Sequence, residues 1–160
     1  MSAPYSDLQS KAAAAFAAVI QAALTAAGDT TAVYPGFGTI VSEAIPRVVA
    51  HAERGGDEET LGTGNYMIEF TAEIVSAKDP DDGETAAQKL TQHNTLCGLV
   101  IDSFAIDGDS LTTALSTYAD FTCLPGSIHG RTLPEQVGEE RQLFTKCGFM
   151  GLCCPSTLSA

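Results

Sequence analysis

The sequence predicts an α+β fold: a mainly antiparallel sheet packed by a long N-terminal helix, a central helix and a short third helix. Two observations carry that class. The stretch "NYMIEFTAEIVSA" (65–77) alternates in polarity, with Tyr66, Ile68, Phe70, Ala72 and Ile74 on one face. Asn65, Met67, Glu69, Thr71 and Glu73 share the other, so the segment reads as a long strand with one wet face, which belongs in an antiparallel sheet. The second observation is order. Helical and strand periodicities are partly segregated, as helix, strands, helix, short helix, strands.

The first helix spans about 4–27. Pro4 suits a first helical turn and Gly28 a C-terminal cap. Tyr5, Leu8, Ala12, Phe16, Val19 and Ala23 recur at three- and four-residue steps and form an apolar stripe. The run "KAAAAFAAVIQAALTAAG" (11–28) is read as a mature helix rather than a signal peptide. It has no basic leader, and Gln21 and Thr25 interrupt it.

A short strand and turn follow in "TTAVYPGFGTI" (30–40), broken by its Pro-Gly pair. "AIPRVVAHAERGG" (44–56) reads as a strand opened by Pro46 and closed by Gly55 and Gly56. The acidic stretch 55–64 then forms a hairpin loop leading into strand 65–77. "KDPDDGE" (78–84) is a polar turn opening the central helix, about 84–104. Its predicted buried stripe is Ala86, Leu90, Cys97, Ile101 and Phe104, with His93 or Asn94 in the middle. "DGDS" (107–110) caps a shorter helix, 110–119. A strand at 120–127, a long loop at 128–140 and a last strand from about Arg141 to Cys154 complete the chain. Sheet and helices thus occupy about 30–155, and 160 residues are read as one domain, 1–160.

Composition excludes some functions. The formal net charge is −12, and eight Lys and Arg are scattered without a cluster, so a basic nucleic-acid groove is not expected. No apolar run approaches the ~20 residues of a membrane helix. Five cysteines without a signal peptide point to reduced thiols in cytosol, and an odd number cannot all pair within one chain.

Three of those cysteines fall in "KCGFMGLCCPST" (146–157). Zinc sites usually pair ligands two to four residues apart, and no Cys-x-x-Cys is present. On one strand Cys147 and Cys153 would lie roughly 20 Å apart at ~3.3 Å per residue. Adjacent Cys153 and Cys154 would point to opposite faces. The structural reading, small buried apolar side chains, is favoured over metal or redox. "DPDDGE" (79–84) fails the EF-hand frame, because a loop begun at Asp79 puts Gly83 at its fifth position and Glu84 at its sixth. His51, His93 and His129 are isolated in sequence, without a nucleophile elbow, a Gly-rich phosphate loop or a His-x-x-x-His pair. A small enzyme would have to bring together two or more of His51, His93, His129 and Asp102 in one pocket. An acidic binding module or DNA mimic would have to gather its carboxylates on one face. No catalytic, cofactor or metal residue is assigned.

The succession "AIPRVVAHAERG", "GNYMIEFTAEIVSAKDPDD", "AAQKLTQHNTLCGLVIDSF", "SLTTALS", "ADFTCLPG" and "RQLFTKCGFMGLCCPS" resembles the tail terminator (tail-completion) proteins of long-tailed bacteriophages over about 40–155. What matches is an order of elements: a Pro-opened strand, a Gly-Asn-Tyr strand start, an acidic turn, and a helix ending before a short second helix. The resemblance implies an α+β subunit of a ring, a hexamer. The ring would cap the head-proximal end of the tail tube, meet the neck or head-completion proteins, and let genome DNA pass without specific binding. It implies a virion protein assembled in the host cytoplasm, with no enzymatic activity, no cofactor and no membrane. Other neck, stopper or tail-tube components are the alternative. On this reading Asp57, Glu58 and Glu59 in one loop and Glu135, Glu139 and Glu140 in the other are lumen or rim acids. Strand 65–77 is expected to pair edge to edge with a neighbour, with Met67 and Val75 at the subunit interface.

Overall fold

The computed structural model describes residues 4–36, 44–54, 66–80, 82–105, 108–118, 121–131, 135–137 and 142–155. The elements run α1 (Pro4–Ala26), β1 (Ala32–Pro35), β2 (Arg47–Arg54), β3 (Tyr66–Ala77), α2 (Ala86–Ala105), α3 (Gly108–Tyr118), β4 (Phe121–Arg131), β5 (Glu135–Val137) and β6 (Gln142–Pro155). They form an α+β fold. A mainly antiparallel, half-barrel sheet in the order β1-β2-β3-β6-β4 is packed by the three helices, and β5 shares one edge of β6 with β4. The β1–β2 pair is parallel, and the other pairs are antiparallel.

Helix α1 ends where a glycine can turn the chain. Gly28 has φ 78°, its N–H donates to the Thr25 carbonyl, and the Asp29 N–H donates back to the Leu24 carbonyl. This is a Schellman cap. The polar Gln21, which interrupts the alanine run, ties the helix to edge strand β1: its Nε2 donates to the Thr31 carbonyl and its Oε1 accepts from the Val33 N–H. Burial around α1 is wider than one stripe. Ala13, Ala15, Ala17, Ile20 and Leu24 are buried along with Leu8, Ala12, Phe16 and Val19. The small side chains let α1 sit against the sheet and both other helices.

Helix α2 opens with a reciprocal cap. The Thr85 hydroxyl accepts from the Gln88 N–H, and the Gln88 side chain accepts from the Thr85 N–H. Its buried residues are His93, Leu96, Cys97, Val100 and Phe104, which corrects the predicted stripe at its N-terminal end. Ala86 is exposed and Leu90 is 42 % exposed. His93, rather than Asn94, fills the middle.

The core centres on four phenylalanines from four elements. Phe16 of α1 meets Phe70 of β3, Phe104 of α2 and Phe149 of β6 edge-on or tilted, at centroid distances of 5.5, 5.7 and 5.5 Å. Phe70 and Phe149, register partners across β3 and β6, stack at 4.7 Å. Next to them, a Cβ at Gly148 would run into the Phe70 carbonyl, so glycine is required where β6 crosses there.

Two further expectations are corrected. Strand 65–77 is not at an edge: β3 is paired along its length with both β2 and β6. The edge strands of the main path are β1 and β4. The stretch 128–140 is not wholly loop either. Strand β4 continues to Arg131, with register shifts after Pro125 and His129, and β5 pairs with the start of β6. The shifts let a segment containing Pro125 and Gly130 bend while staying on the edge.

Candidate functional site

The sheet has two unlike faces, because side chains alternate along each strand. One face, carrying Ile68, Phe70, Ala72 and Ile74, lies under the helices and joins the core. On the other, register fixes the rows. Arg47, Val75 and Phe144 align; so do Val49, Glu73 and Lys146; then His51, Thr71 and Gly148; then Glu53, Glu69 and Met150; and finally Met67 and Leu152. The β2, β3 and β6 residues of the core cluster formed with the helices all belong to the first face. On the second face Glu53 and Lys146 are exposed, but several of the other side chains are not. Met67, Glu69, Glu73, Met150 and Leu152 are half-buried, and Thr71 and Val75 are buried.

At the centre of this face lies a cavity of about 90 Å³ lined by His51, Glu53, Glu69, Thr71, Glu73 and Lys146. Gly148, opposite Thr71, contributes no side chain to fill the row. His51 Nε2 stands 3.4 Å from Glu73 Oε2. The separation is long and Nε2 forms no hydrogen bond of good geometry, so charge attraction holds the pair. The contact with Glu73, reinforced by the charges of Glu73 and Glu53, raises the His51 pKa above its ordinary value against the opposing effects of burial and Lys146. The same contact, with the charges of His51, Lys146 and Arg47, lowers that of Glu73 against burial. The ring is also held in place by backbone: a Cβ at Gly36 would overlap it.

On the helix side, a cleft of about 550 Å³ opens between the α1–β1 turn, Pro46, the end of β3 and α2, with Asp29, Thr31, Ser76, Lys89 and His93 among its lining. His93 is 1 % exposed. Its Nδ1 lies 2.6 Å from Ser76 Oγ and its Nε2 2.9 Å from Thr145 Oγ1. Both ring nitrogens therefore engage hydroxyls of the sheet, and the buried ring links α2 to β3 and β6.

The structure does not bring His51 and His93 together. His51 and His93 lie on opposite sides of the sheet, each in its own cavity. The His129 backbone pairs with Gly148 on β4, and its side chain lies outside the described residues. Asp102 is exposed on α2. Of the proposed rim acids, Asp57, Glu58, Glu59, Glu139 and Glu140 lie outside the described residues. Glu135 is the first residue of β5, paired with Phe144, and so belongs to a strand rather than a loop. Met67 is half-buried on the open face, and Val75, at 6 %, is largely covered within the chain. The four cysteines with described side chains, Cys97, Cys123, Cys147 and Cys153, are all buried free thiols. Among the described residues no group of three His, Cys, Asp or Glu is placed to hold a metal ion, and no helix is long and apolar enough to cross a membrane.

Sequence reasoning missed the His51–Glu73 pair. Alternation along 47–54 already placed His51 and Glu53 on one face. What was missing was the hairpin register that sets Val49 against Glu73 and so brings His51 diagonally beside it.

No protein-family model matches the chain, and no curated protein matches it.

Proposed function

We propose that this chain is a structural subunit of a phage virion: a tail terminator whose copies form a ring, a hexamer. The ring caps the head-proximal end of the tail tube and joins it to the neck. The observation that carries the reading is the open sheet face. Met67, Met150 and Leu152 are apolar and half-buried there, interleaved with Arg47, Lys146, Glu53, Glu69 and Glu73. Interleaved apolar and oppositely charged side chains on one sheet face suit a self-complementary protein contact, in which burial supplies affinity and charge sets orientation. With β3 interior, contacts between copies run through this face and the edges β1 and β4.

The element order shared with tail terminators supports the reading, and so does the net charge of −12. An acidic ring repels the phosphate backbone, so genome DNA slides through its lumen without binding. The subunit works in the tail or neck of the virion after assembly in the host cytoplasm, and it catalyses nothing. A neck, stopper or tail-tube component would use the same kind of contact, and the partner bound separates them.

The test is native mass spectrometry of the chain alone and mixed with a tail-tube protein and a neck protein. A sixfold ring, formed alone or on the tube protein, is the expected result. Met67→Glu should abolish the ring while leaving the circular dichroism of the subunit unchanged. A monomer indifferent to both partners would overturn the proposal. A ring that binds only the neck protein would move the chain to the stopper class.

The small-enzyme reading has one observation behind it, the cleft containing Ser76 and His93. Of the residues that reading brings together, the cleft holds His93, whereas His51 and Asp102 lie elsewhere.

A further inference from the structure

We infer that Cys123 and Cys153 are a cross-strand redox pair, able to form a disulfide that staples edge strand β4 to β6. The two residues are direct register partners in the antiparallel β4–β6 ladder, and both are fully buried free thiols. Side chains directly opposite in such a ladder share one face of the sheet.

The class of the pair follows from two prolines. Opposed residues in an antiparallel ladder alternate between pairs that exchange hydrogen bonds and pairs that do not. Pro125 is paired with Gly151, and Phe121 with Pro155. Neither proline has an N–H to exchange, so both fall at non-hydrogen-bonded positions. Cys123–Cys153 lies two residues from each along the ladder and belongs to the same class. Cα atoms there are about 4.5 Å apart, within the roughly 4.4–6.8 Å a disulfide spans. Room for the sulfur exists as well. A Cβ at Gly151 would lie 2.7 Å from Cys123 Sγ, so the thiol now occupies the space that glycine leaves open. A χ1 rotation carries it from Gly151 toward Cys153.

The oxidant is a small-molecule disulfide. One cysteine thiolate attacks it, forming a mixed disulfide and releasing one thiolate. The second cysteine, as thiolate, then attacks the protein-bound sulfur and expels the other. The protein loses two electrons and two protons, and the reagent leaves as two thiols. Access comes from β4, which has no strand on its outer side in the main path and whose pairing is interrupted after Pro125.

The test is refolding of the reduced full chain from guanidinium in a buffer of hydroxyethyl disulfide and its thiol, which lets pairings reach equilibrium. The folded product is alkylated, digested and mapped by mass spectrometry. The expected result is a Cys123–Cys153 linkage in most molecules, with the intact mass reduced by two hydrogens and no adduct retained. The Cys97→Ala, Cys147→Ala, Cys154→Ala triple variant should give the same linkage, and Cys123→Ser none at Cys153. The oxidised protein should also melt higher than the reduced one, a gain that Cys123→Ser lacks. A folded product that keeps both thiols across the buffer series, or that links Cys153 to Cys154 or Cys147 instead, overturns the pair. Neither outcome depends on ring assembly.

Discussion

Phe149 and Met150 are neighbours on β6, yet they sit in different environments. Phe149 points under the helices, stacks on Phe70 and touches Phe16 and Phe104. Met150 points to the open face and is half-buried opposite Glu69. The same strand thus carries the stability of the fold on one side and, on the proposed function, the surface offered to partners on the other. The covered face is apolar and closely packed. The open face mixes charge with apolar side chains and holds a cavity. A subunit made to assemble needs this division, because a face optimised for its own core has nothing left for a neighbour.

The largest predicted effect breaks the covered side. Phe149→Ala removes the ring at the centre of the cluster and should cost about 3–5 kcal/mol. Met150→Ala, one residue away, should cost the isolated chain less than about 1 kcal/mol, since its side chain already meets solvent. Urea unfolding midpoints of the two variants measure the contrast. Equal losses would make the open face part of the core and remove the support for its role between subunits.

The two faces were legible in the sequence to different depths. Period-two alternation in 65–77 assigned residues 66–74 of β3 to their correct faces, because alternation is a local property of extended backbone. It was silent on which strands lie beside β3, since pairing joins residues far apart in sequence. That is why β3 was expected at an edge and lies inside the sheet. The same limit hid the cysteine pair. Spacing along β6 correctly separated Cys147 from Cys153, but Cys123 reaches Cys153 only through the β4–β6 register. Leu90 was misplaced for a different reason. Helical periodicity marks a stripe without saying where the neighbouring surface ends, and the early turns of α2 border the cleft lined by Lys89, Gln92 and His93. The Gly and Pro residues of 128–140 read as loop, although an irregular edge strand tolerates them.

The next effect tests a polar element on the covered side. His93→Phe keeps the volume but leaves the hydroxyls of Ser76 and Thr145 without the ring nitrogens. Thr145 is fully buried, so the expected loss is about 1–3 kcal/mol. Adding Thr145→Val should recover part of it, because two matched apolar groups cost less than one stranded hydroxyl. Failure of the second change to recover anything would mean that the stranded Thr145 hydroxyl carries none of the loss. That polar contact would then add nothing to the covered face, which would sharpen its difference from the open one.

The smallest effect belongs to the open face and depends on pH. His51 has a raised pKa in the folded chain, so its contribution is complete below the ordinary value of 6.5 and is lost as pH rises through the folded value. Glu73 is lowered, so its contribution holds above 4.5 and is lost as pH falls through the folded value. The pair therefore stabilises most between those two ordinary values. Its side chains are 28 and 33 % exposed, and solvent screening keeps the gain below about 1 kcal/mol. Glu53 adds to the attraction on His51 and Lys146 opposes it. In urea unfolding, His51→Gln should lower stability by a few tenths of a kcal/mol to about 1 kcal/mol near pH 5.5. The gap to wild type should shrink as pH is raised toward about 8.5, because the charge on wild-type His51 is lost as pH rises through its raised folded value. A gap unchanged between the two pH values would assign the histidine to packing against Gly36 rather than to charge. The open face would then hold its shape as the covered face does, by contact alone.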